Sequence, residues 1–394
     1  MFEINGKYNS AKIYASVIED SAKNQINRML DQQFSSNSNI AIMPDTHSGT
    51  GCVIGFTQTI IDKVVPNLVG VDVGCGMLVL KISKKFIIDL PKMDKICHQI
   101  IPSSMNHRKT PHTFADNVNL DNLICPINKS KALLSIGTLG GGNHFEEIDI
   151  DENGDYYIVI HSGSRHLGLE VAKYWQDRAI KYHSKDKQLK IINHLKEIGR
   201  EGEIQSTLDN LETIPNDLAY LEGEDLNGYL NDMKIAQEFA LWNREAILKD
   251  IVDNLGIKKK HILDKFCTIH NYIDLGNMIL RKGAISLQKD ETAIIPINMK
   301  DGSLLVKGKG NKEWNYSGPH GAGRLMSRTA AKETLKMEDY KTSMKDIYTT
   351  CVSTATIDEA PMAYKDINTI KNDIADTAEI ITTIKPIYNF KAAE

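Results

Sequence analysis

Three histidines, His144, His161 and His270, each sit at the end of an apolar run beside Gly, Ser or Asn. A fourth stretch, V-D-V-G-C-G-M, places Asp72 and Cys75 three apart where every other residue is small or apolar. An unpaired carboxylate in a buried strand run is costly, and metal coordination removes that cost. Imidazole, thiolate and carboxylate together suit a borderline divalent ion such as zinc, manganese, iron or cobalt, and the thiolate favours zinc. Five donors exceed one tetrahedral site, so two adjacent ions sharing Cys75 accommodate them. A two-metal clamp suits phosphoryl chemistry, because it steadies both attacking and leaving oxygens.

His320 stands apart from those three. It lies in S-G-P-H-G-A-G-R-L-M-S-R, where Pro319 and the glycines are expected to fix it in a turn at a helix start. Arg324 and Arg328 would follow one turn apart. A neutral imidazole nitrogen can attack a phosphoryl group and hold it covalently, with arginines stabilising the transferring charge.

The glycine-rich stretch G-T-L-G-G-G-N-H-F-E-E-I, Gly137–Ile148, turns backbone amides toward an anion. Asn143 and Glu147 within it can hydrogen-bond to something polar and flat; a plain glycine hairpin is the bland alternative. H-S-G-S-R after His161 brings a guanidinium, Arg165, that suits phosphate. In M-P-D-T-H-S-G-T-G-C, Asp45 and His47 stand at a strand end, where a plain turn explains them as well as chemistry does.

The elements that must hold these side chains follow from periodicity and breakers. A strand pair and a helix fill residues 1–34, with Ile18, Ala22, Ile26 and Met29 at helical spacing. Ile40–Phe56 reads strand–loop–strand, Leu68–Leu80 two strand segments around a bend, Ala132–Ile136 a strand and Tyr156–Ile160 another. A helix is expected around Met93–Ile101. Leu167–Leu255 carries almost no strand signal and reads as a helical insertion broken near Pro215; its Asn243 and Arg244 could reach the site, though a plain helix face is the simpler reading. Ala293–Ile297 and Leu304–Val306 read as short strands. The fold class is therefore α+β, a layered β core with glycine-rich loops and the insertion 167–255. Candidate ligands occur in every third of the chain, which argues for one integrated domain over residues 1–394.

Composition narrows the class further. Hydrophobic and charged shares of 41% and 25% are those of an ordinary globular chain. A net charge of −4 argues against sequence-blind coating of nucleic acid, though it leaves room for a local basic groove. The start lacks a signal-peptide pattern and no apolar run reaches bilayer length. The six cysteines form no C-x-x-C pair. Reduced thiols in the cytoplasm are expected, with no membrane partner.

Taken in order, V-D-V-G-C-G-M, G-T-L-G-G-G-N-H-F, H-S-G-S-R, H-N-Y, H-G-A-G-R-L-M-S-R and A-P-M-A-Y-K-D resemble the RtcB family of RNA ligases. The resemblance runs from Met43 to Lys391 and has the look of a divergent, shorter paralogue. It implies an enzyme that joins RNA 3′-phosphate or 2′,3′-cyclic phosphate ends to 5′-hydroxyl ends, in RNA repair or tRNA splicing, using GTP and two manganese ions. Asp72, Cys75, His144, His161 and His270 would hold the metals, with Cys75 bridging. His320 would carry a covalent guanylate. Asn143 and Arg324 would contact its phosphate or the RNA end. Glu147, Ser303, Tyr364 and Lys391 would grip the guanine or ribose, and Arg165 an RNA phosphate. An archease-like activator is the protein partner that the resemblance adds.

Two departures stand on the nucleotide side. I-N-M-K replaces the family's G-S-M-G, putting Asn298 where a nucleotide-touching serine is usual, and Ala392–Glu394 continue past Lys391. Two other classes compete: a metal-dependent phosphoesterase that has lost nucleotide transfer, and a non-catalytic RNA-binding module using the insertion and Lys258–Lys260.

Overall fold

A computed structural model describes residues 1–392 except Val17 and Glu212, so Ala393 and Glu394 of the tail lie outside the described residues. Among the described residues two large sheets carry the architecture. One has six strands, in the order Phe2–Asn5, Ser10–Ile13, Ile40–His47, Ile54–Thr59, Ile279–Lys282 and Asn271–Asp274. The other has seven, in the order Ile262–Ile269, Gly76–Ile82, Tyr156–Ser162, Phe145–Ile150, Ala378–Lys391, Gly302–Gly308 and Thr292–Asn298.

Every neighbouring pair in the seven-stranded sheet is antiparallel. Its strands Gly76–Ile82 and Tyr156–Ser162 are apolar at most positions because both faces are covered, whereas the middle strand Phe145–Ile150 carries the buried carboxylates Glu146, Glu147 and Asp149. Leu78, Leu80, Ile158 and Ile160 pack with Ile247 and Ile251 of the helix Gly223–Leu255 and with Met93 and Ile96 of the helix Leu90–Gln99. Met77, Val79, Tyr157 and Val159 point the other way and meet Ile294, Leu305 and Ile384. That second cluster joins residues from opposite halves of one sheet, so the sheet curls over its own apolar face. Its edge strands meet where the Ile294 amide donates to Thr268 Oγ1 at 3.2 Å. Register shifts at Leu305/Val306 and Pro386/Tyr388 supply the bends.

Helices dominate between Ser162 and Ile262. Arg165–Lys181 and Lys187–Glu197 come first, and Gly223–Leu255 follows after a break containing Pro215. The long helix ends at Gly256, whose φ of 76° provides a left-handed cap. No helix among the described residues is long and apolar enough to cross a membrane.

Three local expectations change. Ala132–Ile136 is not a strand; Lys129–Leu134 is a short helix capped by Asn128, whose side chain accepts from the Lys131 amide. Four apolar residues in a run of five do not discriminate strand from helix, and the cap decided. The segment before Asp72 is a tight turn, Pro66–Leu68, and only Gly76–Ile82 is strand. His320 follows the short strand Ser317–Pro319, and the next helix starts only at Arg328 behind a Ser327 cap.

Candidate active site

Antiparallel register is what gathers the chemistry. Gly76 pairs with both Ser162 and Ile269, and Phe145 pairs with His161 and with Lys391. Neighbouring strands alternate in direction, so two strand starts and three strand ends share one rim of the sheet. Cys75, His144, His161, His270 and Lys391 all fall on that rim. Their wide spacing in sequence is the natural consequence of such pairing.

The donor atoms form a chain of contacts. His144 Nε2 lies 2.9 Å from Asp72 Oδ2 and 3.3 Å from Cys75 Sγ. Cys75 Sγ is 3.2 Å from His161 Nε2, which is 3.3 Å from His270 Nε2. Cys75 is thus central, and the donor atoms of Cys75, His144 and His161 lie within 4.8 Å of one another. Two of the three far ring nitrogens are anchored: His144 Nδ1 by the Leu139 carbonyl at 2.9 Å, His161 Nδ1 by the Asn143 carbonyl at 3.2 Å. Anchoring of this kind fixes the tautomer and aims Nε2 inward, as metal-binding imidazoles require.

Electrostatics fit the same use. Burial, then the neighbouring histidines, push His161 and His270 well below the ordinary histidine range, which keeps them neutral. Burial raises the Asp72 carboxyl, but the charge of His144 and its hydrogen bond outweigh that and hold it at about 2. Burial, then Asp72, pushes the Cys75 thiol well up. Two neutral imidazoles, a carboxylate and a thiol that a cation would deprotonate make a set that fits divalent metal.

The loops around these donors are pinned from behind. Asn243, fully buried on the long helix, accepts from the Gly137 and Thr138 amides at 2.8 and 3.0 Å. It also donates to the Thr138 and Gly163 carbonyls. Arg244 donates to the Gly74 and Ser162 carbonyls at 2.7 and 2.8 Å. The pair read as a helix face therefore serves as the scaffold of three site loops. Gly163 must be glycine for a different reason, because a Cβ there would sit 2.1 Å from Asp72 Oδ1. Gly140, at φ 89°, leaves the space that the Arg165 guanidinium fills; a Cβ would come within 1.8 Å of it. Arg165 reaches Thr138 Oγ1, the Ser104 carbonyl and the edge of His144.

His320 stands beside the donor chain, its ring centroid 5.0 Å from that of His270. Its Nδ1 lies 2.6 Å from Asp45 Oδ2, which also accepts from the His320 amide at 3.1 Å. Asp45 is fully buried. A carboxylate that accepts from Nδ1–H fixes the ring and leaves the lone pair on Nε2. Sequence reading gave Asp45 no chemical role, since its partner lies 275 positions away.

His320 opens into a cleft lined also by His47, Asn143, Glu147, His161, His270, Asn298, Arg324, Tyr364, Asn389 and Lys391. On its far wall Glu359 acts as a hub. It accepts from Lys391 Nζ and Tyr364 OH, both at 2.6 Å, and pairs with Arg328 at 2.9 Å. Burial raises its carboxyl, but Lys391 and Arg328 bring it down to about 2. Arg324 lies against the Tyr364 ring at 5.1 Å. Glu359 had no assigned role in the sequence reading either. Glu359→Ala leaves Lys391 charged and buried without a partner, so it is expected to lower stability by about 3–5 kcal/mol. Urea unfolding measures that loss.

Of the other expected contacts, Glu147 is buried and accepts from Asn389 Nδ2 at 2.6 Å. Burial raises both Glu147 and its neighbour Asp149, whose carboxyls face each other on the strand. Ser303 is fully buried, with no hydrogen-bond partner for its hydroxyl among the described residues. Asn298 spends its side chain on its own turn, donating to Asp301 Oδ2 and accepting from the Lys300 and Asp301 amides.

Comparison with known proteins identifies the family. A family model described as tRNA-splicing ligase RtcB matches residues 28–125 and 122–392. The chain is similar to the RNA-splicing ligase RtcB of Escherichia coli strain K12, 34% identical over 392 residues, covering 89% of this chain and 90% of that protein. It is also similar to the tRNA-splicing ligase RtcB of Aeropyrum pernix, 25% identical over 84% of this chain and 82% of that protein. A second E. coli relative, RNA-splicing ligase RtcB2, is 26% identical over 89% of this chain and 86% of its own length. With the family model spanning nearly the whole sequence, the chain belongs to the RtcB family.

Proposed function

We propose that this protein is an RNA ligase that joins a 3′-phosphate or 2′,3′-cyclic phosphate end to a 5′-hydroxyl end, through a histidine-bound guanylate drawn from GTP. The observation that carries the reading is the placing of His320: tethered by Asp45 at Nδ1, it shares a cleft with His161 and His270, the near end of the five-donor chain. Asp72, Cys75, His144, His161 and His270 would hold two manganese ions. When bound, those ions supply Lewis-acid neutralisation of phosphate charge.

The chain's own residues do the rest. His320 Nε2 attacks the α-phosphorus of GTP; an N–P bond forms and the bond to pyrophosphate breaks. The Nδ1 proton stays with the Asp45 hydrogen bond, and the charge that develops on the ring faces a carboxylate. Glu147, fixed by Asn389, offers an acceptor to the guanine edge, and Tyr364 and Lys391 line the same wall. The guanylate passes to the RNA 3′-phosphate, and a 5′-hydroxyl then attacks that activated end and expels GMP.

Incubation of the protein with manganese and α-labelled GTP or ATP tests this. Acid-labile label from GTP, and sealing of paired RNA ends, are the expected results. A second reading has the Asn298 turn in its favour, since an amide committed to Asp301 is withdrawn from a nucleotide. Under that reading the protein opens cyclic phosphates yet traps no label. The expected family activator, an archease, is tested by adding it to the same assay.

A further inference from the structure

We propose that His47 takes the proton from the attacking 5′-hydroxyl in the sealing step, a role that rests on the ligase reading above. Sealing requires a group that accepts this proton, and the carboxylates of the cleft are engaged elsewhere. Asp45 holds His320, Asp72 meets His144, Glu147 accepts from Asn389, and Glu359 holds Lys391 and Tyr364. His47 is the side chain left over.

Its position suits the task. His47 ends the strand Ile40–His47, two residues beyond Asp45, and its ring lines the cleft that His161, His270 and His320 line. Nδ1 lies 3.0 Å from the Asp45 carbonyl oxygen. A carbonyl can only accept, so the proton resides on Nδ1 and the lone pair on Nε2. No hydrogen bond engages Nε2 among the described residues. Burial lowers the proton affinity of His47; Asp45 opposes this, and His320 and Lys365 add to it, leaving the ring below its ordinary value. One residue, Asp45, therefore positions two imidazoles with separate duties, its carboxylate the nucleotide carrier and its carbonyl the base.

The step balances. The 5′-oxygen bonds to the phosphorus of the activated 3′ end while its proton moves to His47 Nε2. The bond from that phosphorus to GMP breaks, and its electron pair leaves with GMP. His47 then returns the proton to water.

The test uses the full chain with manganese and separates the steps. His47→Asn keeps an amide for the Asp45 carbonyl but removes the Nε2 base. It is expected to form the guanylate adduct within about twofold of wild type, while single-turnover sealing falls by about 10²–10⁴-fold. His47→Ala should do the same, and added imidazole should restore part of its sealing. Wild-type sealing by His47→Asn would overturn the inference. Equal loss of adduct and sealing in both variants, without imidazole rescue, would also overturn it, because His47 would then only hold Asp45 in place. Absence of any adduct on the wild-type protein would remove the ligase reading itself, a result recognisable before any variant is made.

Discussion

Alanine at position 320 is expected to leave a protein that still binds manganese but, unlike the wild type under the proposed ligase reading, takes up no guanylate from labelled GTP. The loss should be about 10³-fold or more, the scale on which removal of a covalent nucleophile is felt. The argument is geometric. The donor atoms contact one another from Asp72 through His144, Cys75 and His161 to His270, and His320 is outside that chain of contacts. Its own polar contact is with Asp45, which takes one ring nitrogen and leaves the other open for the proposed attack on GTP. Manganese content measured after gel filtration therefore serves as the control for folding. A full adduct on His320→Ala, mapped by mass spectrometry to another residue, would end the assignment.

Cys75→Ala is expected to fail at an earlier stage. The thiol touches both His144 and His161 and is the one donor placed between the two halves of the cluster. Loss of a partner behind a ligand already weakens metal sites by about 10–100-fold, so loss of a central ligand should exceed that. Retained manganese, read by elemental analysis with no turnover needed, should fall to background at concentrations that saturate wild type. The adduct and the sealing reaction should disappear with it. Wild-type metal content in Cys75→Ala would show that the cluster binds ions without its centre. The two variants thus separate holding the ion from carrying the nucleotide.

Much of the site was readable because its donors have unusual surroundings. A histidine beside an apolar strand, or an aspartate among glycines and valines, is conspicuous in one dimension; Cys75, His144, His161 and His270 share the rim of one sheet, and Asp72 lies in the turn just before it. The helix Leu90–Gln99 and the strand Tyr156–Ser162 were visible through plain periodicity. What escaped detection depends on distance. Asp45 meets His320 across 275 positions, and nothing near Asp45 announces it. Glu359 looks like one acid in a tail until Lys391, Tyr364 and Arg328 close on it. Asn243 and Arg244 resemble any polar pair on a helix; only the folded chain shows them holding the loops that carry Gly74, Thr138 and Gly163. The helix Lys129–Leu134 escaped for a local reason, because its apolar residues are too few to reveal a period.

The space above Gly140 has an implication for how such a sequence can drift. Because the Arg165 guanidinium occupies the volume where a side chain would begin, the two positions are tied together although they stand 25 apart in the sequence. A methyl introduced at 140 would be felt as displacement of a distant cation, with no core disturbed. The constraint runs one way: position 140 is held to glycine by its φ of 89° and by the guanidinium above it, whereas a smaller residue at 165 would leave that glycine undisturbed.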